Sequence, residues 1–316
     1  MSAGIDQTAI VNVAVAIIQR PDGRVLMAQR PPGKPAAGFW EFPGGKFAAN
    51  ETSLQALVRE IHEELGVDID SAFPWLTREY VYPERTVRLH FYRVRAWRGE
   101  PHGREGQRLS WEDPTAMSVT PVLPANEKVM AALRLPSHYA ISNAAALGVD
   151  LFMVRLRQAL DRGVRLVQLR EPALSHDRLS ALAHRVVAAA HTHGAQVFIN
   201  GDTTLAQQCG ADGVHLRSAQ LMKLECSPAL PRWSAACHNA AELTRAAALQ
   251  ADFVVLSPVQ LTVSHPGVPG MGWQRFAELA RDYPLPIFAL GGLRNDDLAV
   301  AMCHGAHGIA LRSGAW

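Results

Sequence analysis

The chain has 316 residues, of which 48% are hydrophobic and 19% charged, and its formal net charge is +2. This length allows two domains with full cores, and so small a positive excess gives no electrostatic reason to expect a nucleic acid polymer as partner. The most apolar opening stretch, residues 9–18, is too short to span a bilayer and has no basic segment before it. We therefore expect no membrane partner and a cytoplasmic location.

The first predicted elements are two strands and a helix. The strands cover Val11 to Ile18 and Val25 to Gln29, on either side of a turn at residues 21–23. The helix runs from Thr52 to Leu65, and Gly66 ends it. Apolar residues at spacings of three and four predict one buried stripe on this helix. The stripe consists of Leu54, Leu57, Val58, Ile61 and Leu65.

A second stripe on the same helix is acidic. Glu60, Glu63 and Glu64 are related as i, i+3 and i+4, so they share a face. Like charges so spaced repel by roughly 0.2–0.5 kcal/mol per pair, and divalent cations among them would relieve the repulsion. Oxygen ligands indicate Mg²⁺, with Mn²⁺ as the alternative. A solvated acidic face is the competing interpretation of a bare glutamate pair.

The residues around this helix resemble the signature of a known family. From Gly45 to Val67 the chain reads GKFAANETSLQALVREIHEELGV, which resembles the signature of the Nudix hydrolases, enzymes that cleave nucleoside diphosphates linked to another group. The resemblance implies that the three glutamates are metal ligands and that Glu60 is also a candidate base. It further implies that Arg59 orients a glutamate through its planar fork, and that Glu51 braces the loop before the helix.

Four further strings resemble the MutT branch of this family, whose members hydrolyse 8-oxo-dGTP to the monophosphate and pyrophosphate. The strings are EFPGGK (41–46), YPER (82–85), WRGEPHGREGQ (97–107) and PANE (124–127). By this resemblance the Gly44 carbonyl would bind a metal, Glu105 would be a distant fourth carboxylate, and Arg30 would contact phosphate. The pocket for base and sugar would be lined by Phe42, Tyr82, Arg85 and Asn126.

Asn126 offers a way to distinguish an oxidised base from an intact one. Guanine presents N7 as an acceptor, and oxidation at C8 places a hydrogen there, so the acceptor becomes a donor. The asparagine amide supplies both an acceptor and donors, and a pocket built on such a bond can reject a partner that lacks it by about 10⁴-fold. Alternatively, Asn126 caps a helix predicted from Glu127 to Leu133. The two roles are compatible.

The chemistry expected of this first domain is metal-assisted attack of water on a phosphorus of the triphosphate chain. Glu60 or Glu105 would take the proton, with Arg59 as the positioning residue. Residues Thr86 to Arg95 alternate as a half-buried strand should. The order of elements predicts a mixed sheet flanked by helices. The resemblance to the Nudix family implies the same arrangement.

A domain boundary is predicted between residues 136 and 137, where a helix ends before the proline of LRLPSH (133–138). Beyond it, short apolar strands alternate with helical segments, so an α+β Nudix domain (1–136) precedes an α/β domain (137–316). Eight strands predict a (β/α)₈ barrel. They are Tyr139 to Ser142, Leu166 to Glu171, Gln196 to Asn200, Gly213 to Leu216, Trp233 to Cys237, Phe253 to Ser257, Pro286 to Leu290 and Gly308 to Arg312.

The second domain resembles thiamine phosphate synthase and its relative, the TenI-type thiazole tautomerase. The resemblance is carried by VQLRE (167–171), FIN (198–200), ADGVHL (211–216), ADFVVLSPV (251–259), ALGGL (289–293) and HGIALRS (307–313). The synthase pattern has magnesium-binding aspartates where this chain has Gly201 and Gln220, and a lysine where it has Pro172. The loop after the sixth strand reads TVSH at residues 262–265. These departures imply weakened binding of magnesium and pyrophosphate, with Asp202 as a substitute ligand.

The phosphate-binding end of the barrel matches its family better. Barrels commonly bind phosphate with backbone N–H groups after strands seven and eight, and the tautomerase carries a functional histidine after strand five. A purely structural role is the alternative for that histidine. A phosphorylated thiazole or thiamine phosphate is the expected ligand. The predicted ligand site comprises Arg170, Asn200, His238, Gly291, Gly292 and Ser313.

Three functions stay open on these residues. The first is hydrolysis of oxidised purine triphosphates, which protects DNA replication and complements DNA repair. The second is a thiamine-pathway enzyme that hydrolyses pyrimidine or thiamine diphosphates. The third makes the barrel a ligand-sensing or assembly module. Asn126 favours the first function, the fused barrel favours the second, and the lost magnesium ligands favour the third over a working synthase.

Overall fold

The computed structural model describes residues 10–261 and 269–316, so the 262–265 loop lies outside the described residues. The chain divides into two compact units. The N-terminal unit contains residues 10–134 and 281–284, and the barrel unit contains residues 135–261, 269–280 and 285–316. None of the helices within these ranges has the length and apolarity that a membrane crossing requires.

The N-terminal unit combines two sheets with two helices among its described residues. Its strands are β1 (Ile10–Ile18), β2 (Val25–Gln29), β3 (Trp40–Glu41), β4 (Gly44–Lys46), β5 (Asp68–Tyr82), β6 (Arg85–Arg98) and β7 (Leu109–Glu112). Its helices are α1 (Ser53–Leu65) and α2 (Pro124–Leu133). One sheet has the order β4-β1-β6-β5 and the other β3-β2-β7. Because β1 and β6 are parallel while β1 and β4 are antiparallel, the first sheet is mixed, as predicted.

The two helices cover opposite faces of β1. Ala14, Ala16 and Ile18 belong to the same buried cluster as the apolar side of α1, whereas Val15 and Ile17 pack in the cluster that contains residues of α2. Alternate residues of a strand point to opposite faces, so the central strand separates the two helices. This confirms the predicted mixed sheet flanked by helices.

Helix α1 begins and ends close to the predicted residues. The Thr52 side chain accepts a hydrogen bond from the Gln55 N–H while the Gln55 side chain accepts one from the Thr52 N–H, so Thr52 is the N-cap. Gly66 ends the helix in the left-handed region, at φ 68°.

The predicted apolar stripe of α1 is wrong in part. Leu54 and Val58 are 45% and 40% exposed, while the buried apolar residues are Ala56, Leu57, Ile61 and Leu65. The side of the helix that carries the glutamates faces β4. The helix is therefore rotated about its axis relative to the orientation that the apolar stripe predicts. Packing of that flank against the sheet determines which apolar residues are covered.

The long strand β5 was not predicted as one element. It pairs with β6 in antiparallel fashion from Asp68↔Arg98 to Tyr82↔Arg85, with irregularities between Ile69 and Ser71, between Ser71 and Ala72, and between Pro74 and Leu76. Each irregularity shifts the alternation of faces by one residue. The period-2 pattern is therefore broken in the sequence even though the strand continues.

The barrel unit contains eight parallel strands that close on themselves in the order β10-β11-β12-β13-β14-β15-β8-β9. The strands are β8 (His138–Ile141), β9 (Leu166–Leu169), β10 (Gln196–Asn200), β11 (Gly213–Leu216), β12 (Trp233–Cys237), β13 (Phe253–Leu256), β14 (Ile287–Leu290) and β15 (Gly308–Leu311). The helices are α3 (Ala144–Leu147), α4 (Val149–Asp161), α5 (His176–His191), α6 (Thr203–Gln208), α7 (Ser218–Leu221), α8 (Ala240–Ala248), α9 (Gly272–Ala280) and α10 (Leu298–Cys303). The predicted (β/α)₈ barrel is confirmed, and several strands end one or two residues earlier than predicted.

Aromatic rings fill the interior of the barrel. Tyr139, Phe198, Phe253 and Phe288 are fully buried, and the Phe253 ring centroid lies 5.2–5.3 Å from the other three. Contacts of this kind make the barrel a packed core rather than a pore. Any ligand must therefore bind at an end of the barrel.

Candidate functional site

Arg59 organises the carboxylates of α1. Its Nε and Nη2 donate to the two oxygens of Glu51 at 2.7 and 2.9 Å, and its Nη1 donates to Glu60 Oε1 at 2.9 Å and Glu63 Oε2 at 3.0 Å. Glu51 also accepts from the Ala48 N–H at 2.7 Å. The bonds from Arg59, and then that from Ala48, lower the pKa of Glu51 to about 2. Glu51 thus braces the loop before the helix, and Arg59 is fixed by three carboxylates.

The carboxylate of Glu60 lies directly over Gly45. A Cβ built on Gly45 would lie 2.0 Å from Glu60 Cδ and 2.1 Å from Oε2. Any side chain at this position would displace the carboxylate. The glycine of β4 therefore holds open the space that Glu60 fills.

The pKa of Glu64 is shifted upward, in the opposite direction to that of Glu51. Its Oε2 accepts a bond of 3.3 Å from the Gly44 N–H. Burial raises the pKa of Glu64 to about 7, and the nearby charges of Glu105, Glu60 and Glu41 act in the same direction. Four carboxylates thus lie within electrostatic reach of one another, which is the arrangement that a divalent cation relieves.

Lys34 is a residue of this cluster that the sequence did not reveal. Its ammonium forms an ion pair with Glu105, and this hydrogen bond, with the charge of Glu64, raises the pKa of Lys34. Within the described ranges, no three acidic, histidine or cysteine side chains are arranged to hold a metal ion. The positive charges that pair with these carboxylates in the structure are those of Arg59 and Lys34. The donors are all oxygens, which fits Mg²⁺, and ligation by Glu105 requires its release from Lys34.

Arg30 and Tyr82 are close together beside this cluster. Arg30 Nε lies 2.7 Å from Glu41 Oε1, and its Nη1 donates to the Pro35 carbonyl at 2.8 Å, so this predicted phosphate contact is paired within the protein. Burial raises the pKa of Tyr82, and the charges of Arg30, Glu41 and Arg85 lie near enough to act on it. Three of the predicted substrate contacts therefore share one region.

Phe42 and Asn126 are both buried. Phe42 is 3% exposed and packs in the same cluster as Val129 of α2. Helix α2 begins at Pro124, with Leu123 as N-cap and no side-chain cap bond, so the interpretation of Asn126 as an N-cap is wrong. Asn126 is 4% exposed, and its Nδ2 has no hydrogen-bond partner among the described residues. A buried unpaired donor costs about 1–3 kcal/mol, which a ligand acceptor would offset.

The predicted ligand residues of the barrel lie at the carboxyl ends of its strands. His238 follows β12, and its Nδ1 and backbone N lie 2.9 and 2.6 Å from Glu242 Oε2. Asp202 caps α6, because its Oδ1 accepts from the Leu205 N–H at 2.9 Å; this oxygen is used by the helix rather than by a metal. The other predicted residues at this end are Arg170, Asn200, Gly291, Gly292 and Ser313.

Sequence comparison identifies both units. Residues 14–132 match the family model described as "NUDIX domain", and residues 138–315 match the model described as "Thiamine monophosphate synthase". The 8-oxo-dGTP diphosphatase of Haemophilus influenzae is 39% identical over 129 residues, covering 41% of this chain and 95% of that protein. The chain belongs to both families. Nudix hydrolases generally need a divalent metal.

Two other relatives show the breadth of these families. The CTP pyrophosphohydrolase of Escherichia coli is 38% identical over 117 residues, covering 37% of this chain and 86% of that protein. The thiamine-phosphate synthase of Thioalkalivibrio sulfidiphilus is 29% identical over 187 residues, covering 58% of this chain and 89% of that protein. The Nudix unit thus has relatives of similar identity that are named for different nucleotides.

Proposed function

We propose that the Nudix unit hydrolyses 8-oxo-dGTP to 8-oxo-dGMP and pyrophosphate with Mg²⁺, and so removes oxidised nucleotide from the pool that supplies DNA synthesis. The observation that carries this proposal is the half-buried carboxylate of Glu64, which accepts a hydrogen bond from the Gly44 N–H and whose pKa is raised to about 7 among neighbouring acids. Such a group lies on the helix of the Nudix signature, where a diphosphate and its cations would bind.

The proposal assigns separate roles to Arg59, to the proton-accepting glutamates and to the metal ligands. Bound divalent cations would neutralise phosphate oxygens and activate water. Arg59 keeps Glu60 in one orientation, and Glu60 or Glu105 accepts the proton as water attacks phosphorus and the bond to pyrophosphate breaks. Phosphoryl transfer requires mainly positioning and electrostatics, which this fixed arrangement supplies. The ligands that would hold the metal are the Gly44 carbonyl and Glu60, Glu63, Glu64 and Glu105.

Asn126 supports the oxidised purine as substrate. Its amide is buried and its Nδ2 lacks a partner among the described residues, so a base in the pocket can supply the missing acceptor. The amide oxygen can accept the N7 hydrogen that oxidation at C8 creates. An intact guanine offers an acceptor at N7 and would place it against that oxygen.

A substrate panel tests this proposal against its alternatives. Full-length protein with Mg²⁺ is incubated with 8-oxo-dGTP, dGTP, CTP, thiamine diphosphate and hydroxymethylpyrimidine diphosphate, and kcat/KM is compared. We expect the highest value for 8-oxo-dGTP. A higher value for CTP or for either thiamine-pathway diphosphate would overturn the assignment.

A second proposal concerns the barrel, whose family membership favours a phosphorylated thiazole or thiamine phosphate as its ligand. The residues that support it lie at the carboxyl ends of the strands, where barrels bind ligands. Titration of the full-length protein with each compound, with and without Mg²⁺, tests it. Absence of binding at millimolar concentrations under both conditions would overturn it.

A further inference from the structure

Three arginines lie at one end of the barrel. Arg170 directly follows β9, Arg217 follows β11 and Arg312 follows β15. In a closed parallel barrel all carboxyl ends of the strands meet at one mouth, so these side chains leave the backbone around the same opening. Arg217 and Arg312 are not among the predicted ligand residues. The predicted strands place Arg217 directly after Leu216, but they include Arg312 as the last residue of the eighth strand.

The side chain of Arg217 is held through Gln220 by Gly201, which follows the neighbouring strand β10. Its Nε and backbone N donate to Gln220 Oε1 at 3.1 and 3.2 Å, and Gln220 Nε2 donates to the Gly201 carbonyl at 2.7 Å. A Cβ built on Gly201 would lie 2.9 Å from Gln220 Oε1 and 3.2 Å from Arg217 Nε. The guanidinium and amide therefore fill the space that a side chain at residue 201 would need.

Arg170 and Arg312 are near enough to interact. Burial and then the charge of Arg312 lower the pKa of Arg170; the charge of Glu171 opposes this shift, and that of Arg217 adds to it. Burial, and then the charge of Arg170, lowers the pKa of the interior His215 to about 3. Arg170 therefore lies above the barrel interior with the other two arginines around it. The Arg312 Nε is buried and has no hydrogen-bond partner among the described residues.

Carboxylates at this mouth are engaged by backbone donors. Glu171 accepts from the N–H groups of Ala144 and Ala145 at 2.6 and 2.8 Å, Asp202 caps α6, and Glu242 accepts from the His238 N–H. These acids keep their charges, and that of Glu171 acts on Arg170. Among the described residues, however, no salt bridge joins any of the three acids to Arg170, Arg217 or Arg312, so the guanidinium groups are not neutralised by direct ion pairs. Guanidinium forks match the oxygens of a phosphate group.

We propose that Arg170, Arg217 and Arg312 bind the phosphate or diphosphate group of a small ligand at the barrel mouth without a divalent cation. The inference rests on the proposed phosphorylated ligand of the barrel and adds its mode of recognition. Fixed arginine charges take the part that a cation recruited by carboxylates takes in other phosphate sites.

Calorimetric titration of the full-length protein with inorganic pyrophosphate in excess EDTA tests this proposal. EDTA removes the cations through which the Nudix unit would hold the same probe. We expect binding in EDTA, and a loss of affinity of roughly tenfold for each arginine removed in Arg217→Ala and Arg312→Ala. Arg162→Ala is the matched control, because Arg162 is an exposed arginine before β9, at the opposite end of the barrel.

The outcomes separate this inference from the proposed ligand. Absence of pyrophosphate binding in EDTA, or unchanged affinity in the Arg217→Ala/Arg312→Ala variant, would overturn it. Binding of thiamine phosphate only when Mg²⁺ is added would also overturn it while leaving the ligand class intact. Thermal unfolding and hydrolase activity, which should match the parent protein, verify that each variant is folded.

Discussion

The two units present different charged groups at their candidate sites for phosphate-containing ligands. The Nudix site is rich in carboxylates, beside Arg59 and Lys34, whereas the barrel mouth has three arginines beside acids that accept bonds from the backbone. In the Nudix unit, Glu60, Glu64 and Glu105 lie within electrostatic reach of one another. At the barrel mouth the acids accept hydrogen bonds from backbone N–H groups. Arg170, Arg217 and Arg312 are then the groups that could bind a phosphate. A site that breaks a phosphoanhydride gains from cations recruited by carboxylates, since they also activate water. A site that only holds a phosphate can use cations built into its side chains.

Chelation should separate the two units most sharply. Excess EDTA is expected to reduce 8-oxo-dGTP hydrolysis to background, because the carboxylates of the Nudix unit need divalent cations to act on phosphate. Pyrophosphate binding at the barrel should persist in the same solution. Release of 8-oxo-dGMP, followed by chromatography, and calorimetry on one preparation measure both effects, and hydrolysis that continues in EDTA would contradict the metal requirement.

Removing one charge from Glu60 should have the next largest effect. Glu60→Gln keeps the shape of the side chain but loses the proposed base and ligand, so we expect kcat to fall about 10³-fold or more. Glu127→Gln is the matched control, because Glu127 is an exposed acid in the first turn of α2. Both variants should unfold at the temperature of the parent. Near-normal turnover by Glu60→Gln would contradict the assignment of Glu60 as base and metal ligand.

Arg59→Lys tests positioning rather than charge. Lysine keeps the positive charge but cannot make the paired bonds to Glu51 while also contacting Glu60 and Glu63. Small displacements of reacting groups can cost about 10² in rate, and we expect a fall of this size in kcat. Arg88→Lys, which alters an exposed pair with Glu79 on the same unit, should leave kcat unchanged. Equal kcat in the two variants would show that Arg59 supplies charge alone.

Asn126→Ala should reduce selectivity more than catalysis. Loss of the buried amide removes the bond that distinguishes the oxidised base, so the ratio of kcat/KM for 8-oxo-dGTP to that for dGTP should fall roughly tenfold to a hundredfold. Activity on dGTP serves as the internal control. If both substrates lose activity in equal proportion, Asn126 supports the pocket without reading the base.

The pH dependence of metal binding gives the smallest expected effect. A carboxylate must lose its proton to bind a metal, and the pKa of Glu64 is raised to about 7. Apparent Mg²⁺ affinity should therefore fall about tenfold for each pH unit below 7 and level off above it. In the metal-free protein the same shift favours the protonated folded state, so the destabilisation from Glu64 grows as pH rises from 4.5 to about 7. Calorimetry across this range measures the affinity, and an unchanged slope in Glu64→Gln would assign the proton to another group.

The elements that the sequence predicted best are those defined by local patterns. The start of α1 near Thr52 and its stop at Gly66 depend on local residues, and each barrel strand is a short apolar run between helices. The strand β5 was missed because its irregularities near Ile69 and Pro74 interrupt the alternation. Burial of α1 was misjudged because the orientation of a helix depends on the sheet that covers it.

The candidate sites show the same limit at the level of side chains. Spacing on one helix was enough to predict the acids of α1, but the partner of Glu105 is Lys34, which is 71 residues away in a loop without periodic signal. Arg217 and Arg312 each follow a strand directly, and their charges meet only when the barrel closes. Local patterns fix which residues are available, whereas long-range pairing fixes what each one contacts.

The close approach of Glu60 to Gly45 has a consequence for reading such motifs. Gly45→Ala would change none of the acids or arginines of the motif, yet the added carbon would lie 2.0 Å from the Glu60 carboxyl carbon and the carboxylate would have to move outward. A related chain with every metal ligand but a bulkier residue at position 45 would hold the Glu60 carboxylate in a different place. Gly45 contributes to the motif because it has no side chain, and counting the charged residues alone would not reveal this contribution.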